Sequence, residues 1–197
     1  MSLLIPWVRI ADLVIRPRLF SGNQEGVLGG EDLPVPRMGD RFAADVITTQ
    51  LRQDAQSREL IALLMEATTA DARIELRLPN RPKAIGGKIV VDGADQAGST
   101  LNIRGAYRQT EFVRGHFFSI VHGGVHHIHM VRRRVVAGAD GRAAVPIWPM
   151  LRFLSVDADL CAFDQPMIEG QLIGFDKGAG FARNQTKPLS FTIQERR

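Results

Sequence analysis

Apolar and polar residues alternate strictly near the C-terminus. Leu189, Phe191 and Ile193 are separated by Ser190, Thr192 and Gln194. The same period-two pattern sets Ile74, Leu76 and Leu78 against Arg73, Glu75 and Arg77. Successive side chains of a strand point to opposite faces, so both segments predict half-buried strands. Strand character recurs at 7–20, where Pro17 marks an edge or turn, and at 41–51, with Phe42, Val46, Ile47, Thr48 and Thr49. Further short strands are predicted at 88–91, 100–104, 160–163 and 171–175. Only 57–67 (SRELIALLMEA) has helical spacing, with Leu60 and Leu64, and Ile61 and Met65, at i, i+4. Asp54 or Ser57 would cap that helix, and Glu59 suits the positive end of its dipole.

Turn chemistry divides these elements. In 112–152, His122-Gly123-Gly124 and Asp140-Gly141 predict two tight turns joining three consecutive strands, because glycine supplies the positive φ that such turns need. Pro79-Asn80-Arg81-Pro82 ends the strand before it, and Asp92 to Ser99 (DGADQAGS) is rich in turn residues. Two longer loops are predicted, at 21–39 and 176–185, and the first is a natural interaction surface. Many short strands at turn intervals of about 8–12 residues, with a single helix, predict a mainly β fold, either a sandwich or a barrel.

The 197 residues suffice for one large domain or two small ones. No apolar run approaches the roughly 20 residues of a membrane helix, and the N-terminal residues lack the pattern of a secretory leader. A single cysteine, Cys161, excludes an internal disulfide and a multi-cysteine zinc site, and it reads as a small buried apolar residue. The net charge of +4 is too modest to specify a nucleic-acid binder. Aromatic residues are not interleaved with the basic ones as in a stacking platform.

Candidate chemistry concentrates in the histidines, all five of which lie within 112–152. On one strand His127 and His129 share a face and His126 takes the other, so two imidazoles are spaced to reach one metal. No third ligand motif supports a catalytic zinc, and the histidines, including His116 and His122, read as polar hairpin residues facing solvent or a neighbouring subunit. The chain has no G-x-S-x-G elbow and no P-loop, and Gly86-Gly87-Lys88 reads as a turn entering a strand. Asp157, Asp159 and Asp164 lack calcium-loop spacing and read as solvated turn residues. If Arg132, Arg133 and Arg134 lie on a strand, Arg133 points away from its neighbours and the run cannot act as one patch. No catalytic, cofactor-binding or metal-ligating residue is assigned, and no cofactor.

Taken in order, several segments resemble the distal tail, or tail-tip ring, proteins of long-tailed phages. The resemblance begins with FAADVITTQL, SRELIALLMEA and ARIELRLP. It continues through a G-x-x-Q-x-G-x-x-L segment at Gly93, Gln96, Gly98 and Leu101, and the glycine hairpin around Gly123-Gly124. It ends on Ile147-Trp148-Pro149-Met150-Leu151-Arg152, its most specific piece. The histidine-rich 125–130 departs from the family pattern, and the residues up to Gly39 match loosely. The resemblance implies a sandwich or split-barrel, tail-tube-like domain with helix 57–67, formed by 1–93 and 164–197, and a small inserted β-barrel module at 94–163. It implies a non-enzymatic virion component at the tail tip, assembled in the host cytoplasm. Such a protein forms a ring of six copies that joins tail tube protein to baseplate hub protein. Tape-measure protein is a further partner, DNA passes through the lumen, and no membrane insertion is involved. Another tail or neck structural protein, a histidine-dependent metal enzyme and a nucleic-acid-binding barrel are the competing expectations.

Overall fold

The computed structural model of the chain describes residues 2–25, 30–35, 37–77, 86–182 and 185–196. The chain runs through β1 (Leu3–Ile5), β2 (Ile10–Arg18), β3 (Gly22–Gln24), β4 (Leu33–Val35), β5 (Arg41–Thr48) and the helix α1 (Ala55–Glu66). It continues with β6 (Asp71–Glu75), β7 (Gly86–Val91), β8 (Gly98–Ala106), β9 (Glu111–Phe112), β10 (Phe117–His122), β11 (Val125–Val131) and β12 (Val135–Val136). The last elements are β13 (Ala143–Leu151), β14 (Leu160–Ala162), β15 (Met167–Ile173), β16 (Phe181–Ala182), β17 (Gln185–Thr186) and β18 (Ser190–Gln194). The fold is mainly β with one helix, as the alternation predicts. The turn expected at Pro79-Asn80-Arg81-Pro82, with Leu78 before it, lies outside the described residues.

Six strands form one sheet in the order β1-β6-β15-β18-β5-β2. Its two edges, β1 and β2, are consecutive in the chain. Five inter-strand steps span about 24 Å in a flat sheet, whereas the chain from Ile5 to Ile10 reaches about 18 Å at most. The sheet therefore curls. Trp7, in the connection, donates its indole N–H to the Glu75 carbonyl, and the Arg77 guanidinium lies 5.2 Å from its ring centre. Helix α1 packs against the concave side through Leu60 and Leu64, which are buried with Ile5, Val46, Ile74 and Phe191. Asp54 is the cap, accepting the Ser57 N–H at 2.8 Å. Glu59 lies beyond the first turn and Met65 is exposed, so the apolar stripe is narrower than its spacing suggests. Pro17 sits in the edge strand β2, where a missing N–H is tolerated.

The other large unit is a closed barrel, β10-β11-β13-β8-β7-β14. Its core holds Val91, Leu101, Ile103, Phe118, Ile120, Val131, Val145, Ile147 and Leu151. Gly123 (φ 57°) and Gly124 (φ 80°) make the two-residue turn of the β10–β11 hairpin. The Asp140-Gly141 turn leads from β12 into β13, but β12 pairs with β9, so β11 and β13 meet after an excursion. Strand β7 pairs with β8 and β14, and the barrel therefore begins at Gly86 rather than at 94.

The two units share a wall. Phe117, Ile128, Met130 and Trp148 on the outside of the barrel join the core of the curled sheet. Phe42 meets Phe117 and Trp148 edge to face, with ring centres 5.4 and 4.9 Å apart. A side chain at Gly170 is excluded, since its Cβ would lie 2.0 Å from the Gln194 carbonyl oxygen.

Candidate functional site

The joint between the units is a seam along β11. This strand pairs with β10 throughout, but with β13 only at Met130–Trp148 and Val131–Ile147. Carboxylates from the curled sheet take the amides near its start. His126 N–H donates to Glu169 Oε2 at 2.9 Å, and Ile128 N–H donates to Glu195 Oε1 at 3.0 Å. The other oxygen of Glu195 accepts Phe42 N–H at 2.8 Å. Arg152 donates to both oxygens of Glu195, at 2.9 and 3.3 Å, and to the Asp40 carbonyl at 3.4 Å. Both side chains of this pair are buried. Burial pushes the Glu195 carboxyl upward, against the pull of Arg152 and the two amides. One carboxylate thus ties together β5, β11 and the end of β13. The Leu-Arg singled out in the sequence has a physical reason, with Leu151 in the barrel core and Arg152 in the seam.

His127 and His129 share a face as predicted, but that face is the barrel interior. Their cross-strand partners, Ile120 and Phe118, are core residues, so alternation carries both imidazoles inward. For these two it corrects the expectation of solvent- or subunit-facing histidines, whereas His116, His122 and His126 stay partly exposed. His129 is 0% exposed and donates from Nδ1 to the Pro149 carbonyl at 2.9 Å, which fixes the neutral tautomer and leaves Nε2 buried without a partner. Burial, with Arg152 adding repulsion, lowers its pKa to about 3. His122 and His127 lie against Phe153, with ring centres 4.5 and 4.4 Å away, and His122 Nδ1–H donates to Asp159 at 2.8 Å. His116 accepts the Val113 N–H at 3.3 Å. Burial lowers the pKa of both His116 and His126.

Among the described residues no group of three His, Cys, Asp or Glu side chains could hold a metal ion. Ser119 lies 3.2 Å from His126 Nδ1, yet it is fully buried and accepts the Met167 N–H, so it bridges strands rather than presenting a nucleophile. Burial raises the thiol pKa of Cys161, as its apolar reading implies. A cavity of about 130 Å³ at the foot of the seam is lined by Asp71, His126, Glu169 and Arg196, and Arg196 pairs with Asp71 at 3.0 Å.

Asp157 is an exposed turn residue, as expected, and is also an anchor, whereas Asp159 is half-buried. Asp157 takes two hydrogen bonds from Arg104, at 2.6 and 3.0 Å, and the Gly93 N–H at 2.8 Å, while Asp159 accepts Val156 N–H beside His122. Asp164 is exposed. The G-x-x-Q-x-G-x-x-L spacing is a turn device. Gly93 and Gly98 take positive φ, and Leu101 enters the core. The Gln96 amide donates to the carbonyls of Asp92, Gly93 and Asn102 and accepts the Asn102 N–H at 2.7 Å. The sequence places Gln96 in this motif without assigning its side chain a role, and the two flanking glycines are the local signal of the turn it braces.

Two small two-stranded ribbons stand outside the strand pairing of the sheet and the barrel. Among the described residues the arm β3–β4 pairs only with itself. Asp40 pins its base by accepting from Phe20 N–H, Ser21 N–H and the Ser21 hydroxyl at 2.8, 2.8 and 2.7 Å. Those donors outweigh burial and hold the Asp40 carboxyl below its usual range. Phe20 sits between the guanidinium groups of Arg18 and Arg41, at 4.7 and 5.1 Å, above Gly39, where a Cβ would approach within 2.8 Å of the Phe20 side chain. The second is the lobe of 107–116 and 131–137 around the β9–β12 ribbon, which is seated on the barrel through the buried Phe112 and Ala137. Residues 132–134 form a bend between β11 and β12, not a strand. The strand-alternation argument against an arginine patch therefore fails, and all three arginines are exposed. Arg134 pairs with Glu111. The lobe carries five arginines and one glutamate, a net +4 that equals the net charge of the whole chain.

Compared with known proteins, the chain matches no family model and no curated sequence.

Proposed function

We propose that this chain is a structural component of a phage tail tip, assembling into a closed ring that joins tail tube to baseplate hub and leaves a channel for DNA. The observation that carries the reading is the contrast between the two units. The barrel is closed, whereas the curled sheet ends on two different edges, the three-residue β1 and the nine-residue β2. Unpaired strand edges are templates for pairing with another chain. Two unlike patches on one chain make a heterologous contact, the kind that closes into a ring. The use made of the polar groups supports the same reading. Two imidazoles, His127 and His129, are buried inside an apolar barrel, and buried carboxylates lock it to the sheet, which gives a rigid building block. Gold-labelled antibody against the chain tests the assignment on particles that carry it. Label at the tail tip supports it, and particles complete without the chain overturn it.

A further inference from the structure

The arm and the lobe are opposite in charge and alike in carrying exposed apolar surface. Arm residues 21–35 contain Glu25, Glu31 and Asp32 and no lysine or arginine, a net −3. All three acids are exposed, and none makes an ion pair among the described residues. Leu33, the first residue of β4, is 64% exposed. An isolated two-stranded hairpin is only marginally stable in water, and among the described residues this arm pairs with no other strand.

On the lobe, Arg108, Arg114, Arg132 and Arg133 are exposed, and none makes an ion pair among the described residues. Arg114 and Arg132 are held on neighbouring segments, because Gly115 N–H donates to the Val131 carbonyl and Val131 N–H to the His116 carbonyl, each at 2.9 Å. Beside them stand Tyr107 (57% exposed), Val113 (39%) and Val136 (48%). Arginine and tyrosine set among apolar residues is the composition of a protein-binding surface. A site that only tracked phosphates would have no use for the two exposed valines. The complement of this surface, carboxylates around an exposed leucine, is present on the arm of the same chain.

From this complementarity we infer that the acidic arm of one copy docks on the basic lobe of the next, clamping neighbours together in the ring. The inference rests on the ring reading and names the contact that orders it. Arm and lobe are different patches, so each copy gives one and receives one, as a closed cyclic assembly requires. Opposed charges across the contact set its register and speed the encounter of copies.

Charge reversal in the full-length protein tests this, read by sedimentation velocity at low and high salt. One variant reverses the arm (Glu25→Lys, Glu31→Lys, Asp32→Lys) and another reverses the lobe (Arg108→Glu, Arg132→Glu, Arg133→Glu). Each alone weakens self-association by about tenfold or more, since attraction becomes repulsion. An equimolar mixture of the two assembles again, because each then offers what the other lacks. That recovery also shows that both variants are folded. A chain carrying both reversals associates as the unaltered protein does. Reversed variants that form rings as well as the unaltered protein overturn the arm–lobe contact and leave the ring reading standing. An unaltered protein that stays monomeric at every concentration overturns both. A monomer whose lobe binds a single-stranded oligonucleotide with a steep salt dependence reassigns the lobe to nucleic acid.

Discussion

Burial of His129 inside the barrel predicts a stability that falls in mild acid. His129 is fully inside, its Nδ1 proton is committed to the Pro149 carbonyl, and its pKa is lowered to about 3. In the unfolded chain the same group titrates near pH 6.5, about its ordinary value. The folded pKa is depressed, so the contribution is complete above about pH 6.5 and is lost as the pH falls toward 3. Between pH 7 and 4.5 the unfolded state gains a proton that the native state does not take up. The loss reaches about 2.5 kcal/mol over that interval, at about 1.4 kcal/mol per pH unit once below 6.5. His126 and His116 are depressed in the same direction and steepen the slope further. Urea unfolding followed by fluorescence at several pH values between 7.5 and 4.5 measures the slope. His129→Leu removes the titrating group and leaves the Pro149 carbonyl unpartnered. The variant is less stable at pH 7 by about 1–3 kcal/mol. Its stability falls less steeply with acid, by close to one proton, so the two curves converge near the acid end. Equal slopes for variant and unaltered protein would refute the argument that His129 is buried and neutral.

Other consequences are open to the same kind of test. Arg152→Ala strands the buried Glu195 carboxylate and costs about 3–5 kcal/mol in chemical unfolding. A loss below about 1 kcal/mol means that the seam pair is not buried as described. Gly170→Ala drives a Cβ into the Gln194 carbonyl and lowers the melting temperature sharply, and an unchanged melting curve contradicts that close approach. Gln96→Ala leaves several turn groups without partners and costs about 1–3 kcal/mol, whereas a neutral effect shows that water replaces the amide. Cys161 stays unlabelled by a thiol reagent in the native state and reacts on unfolding, because burial both covers the sulfur and raises its pKa.

Much of the β architecture is legible in the sequence because period-two alternation is a local signal. Phe191 and Ile193 are buried where it places them, and Gly123-Gly124 makes its turn. The single helix is legible for the same reason, with its cap left between Asp54 and Ser57 until the Ser57 amide is seen on Asp54. What alternation does not reveal is which face is inside. His127 and His129 share a side in either reading, and only the barrel around them decides that it is the core. Polar identity argues for solvent, but Phe118 and Ile120 across the hairpin carry them inward. The arginine run illustrates the opposite error. A bend replaces the strand at 132–134, and the patch that alternation forbids becomes available. The seam is the least legible feature, because Glu195 and Ile128 meet across 67 residues of chain and no local pattern announces it.

The central claim is that copies of this chain close into a ring. Light-scattering mass of the purified protein over a wide concentration range, with negative-stain images of the same sample, tests it most directly. The account predicts a discrete closed assembly with a central hole and a mass of about six chains. A single-chain mass that holds up to the highest concentrations, with no rings on the grid, would contradict it.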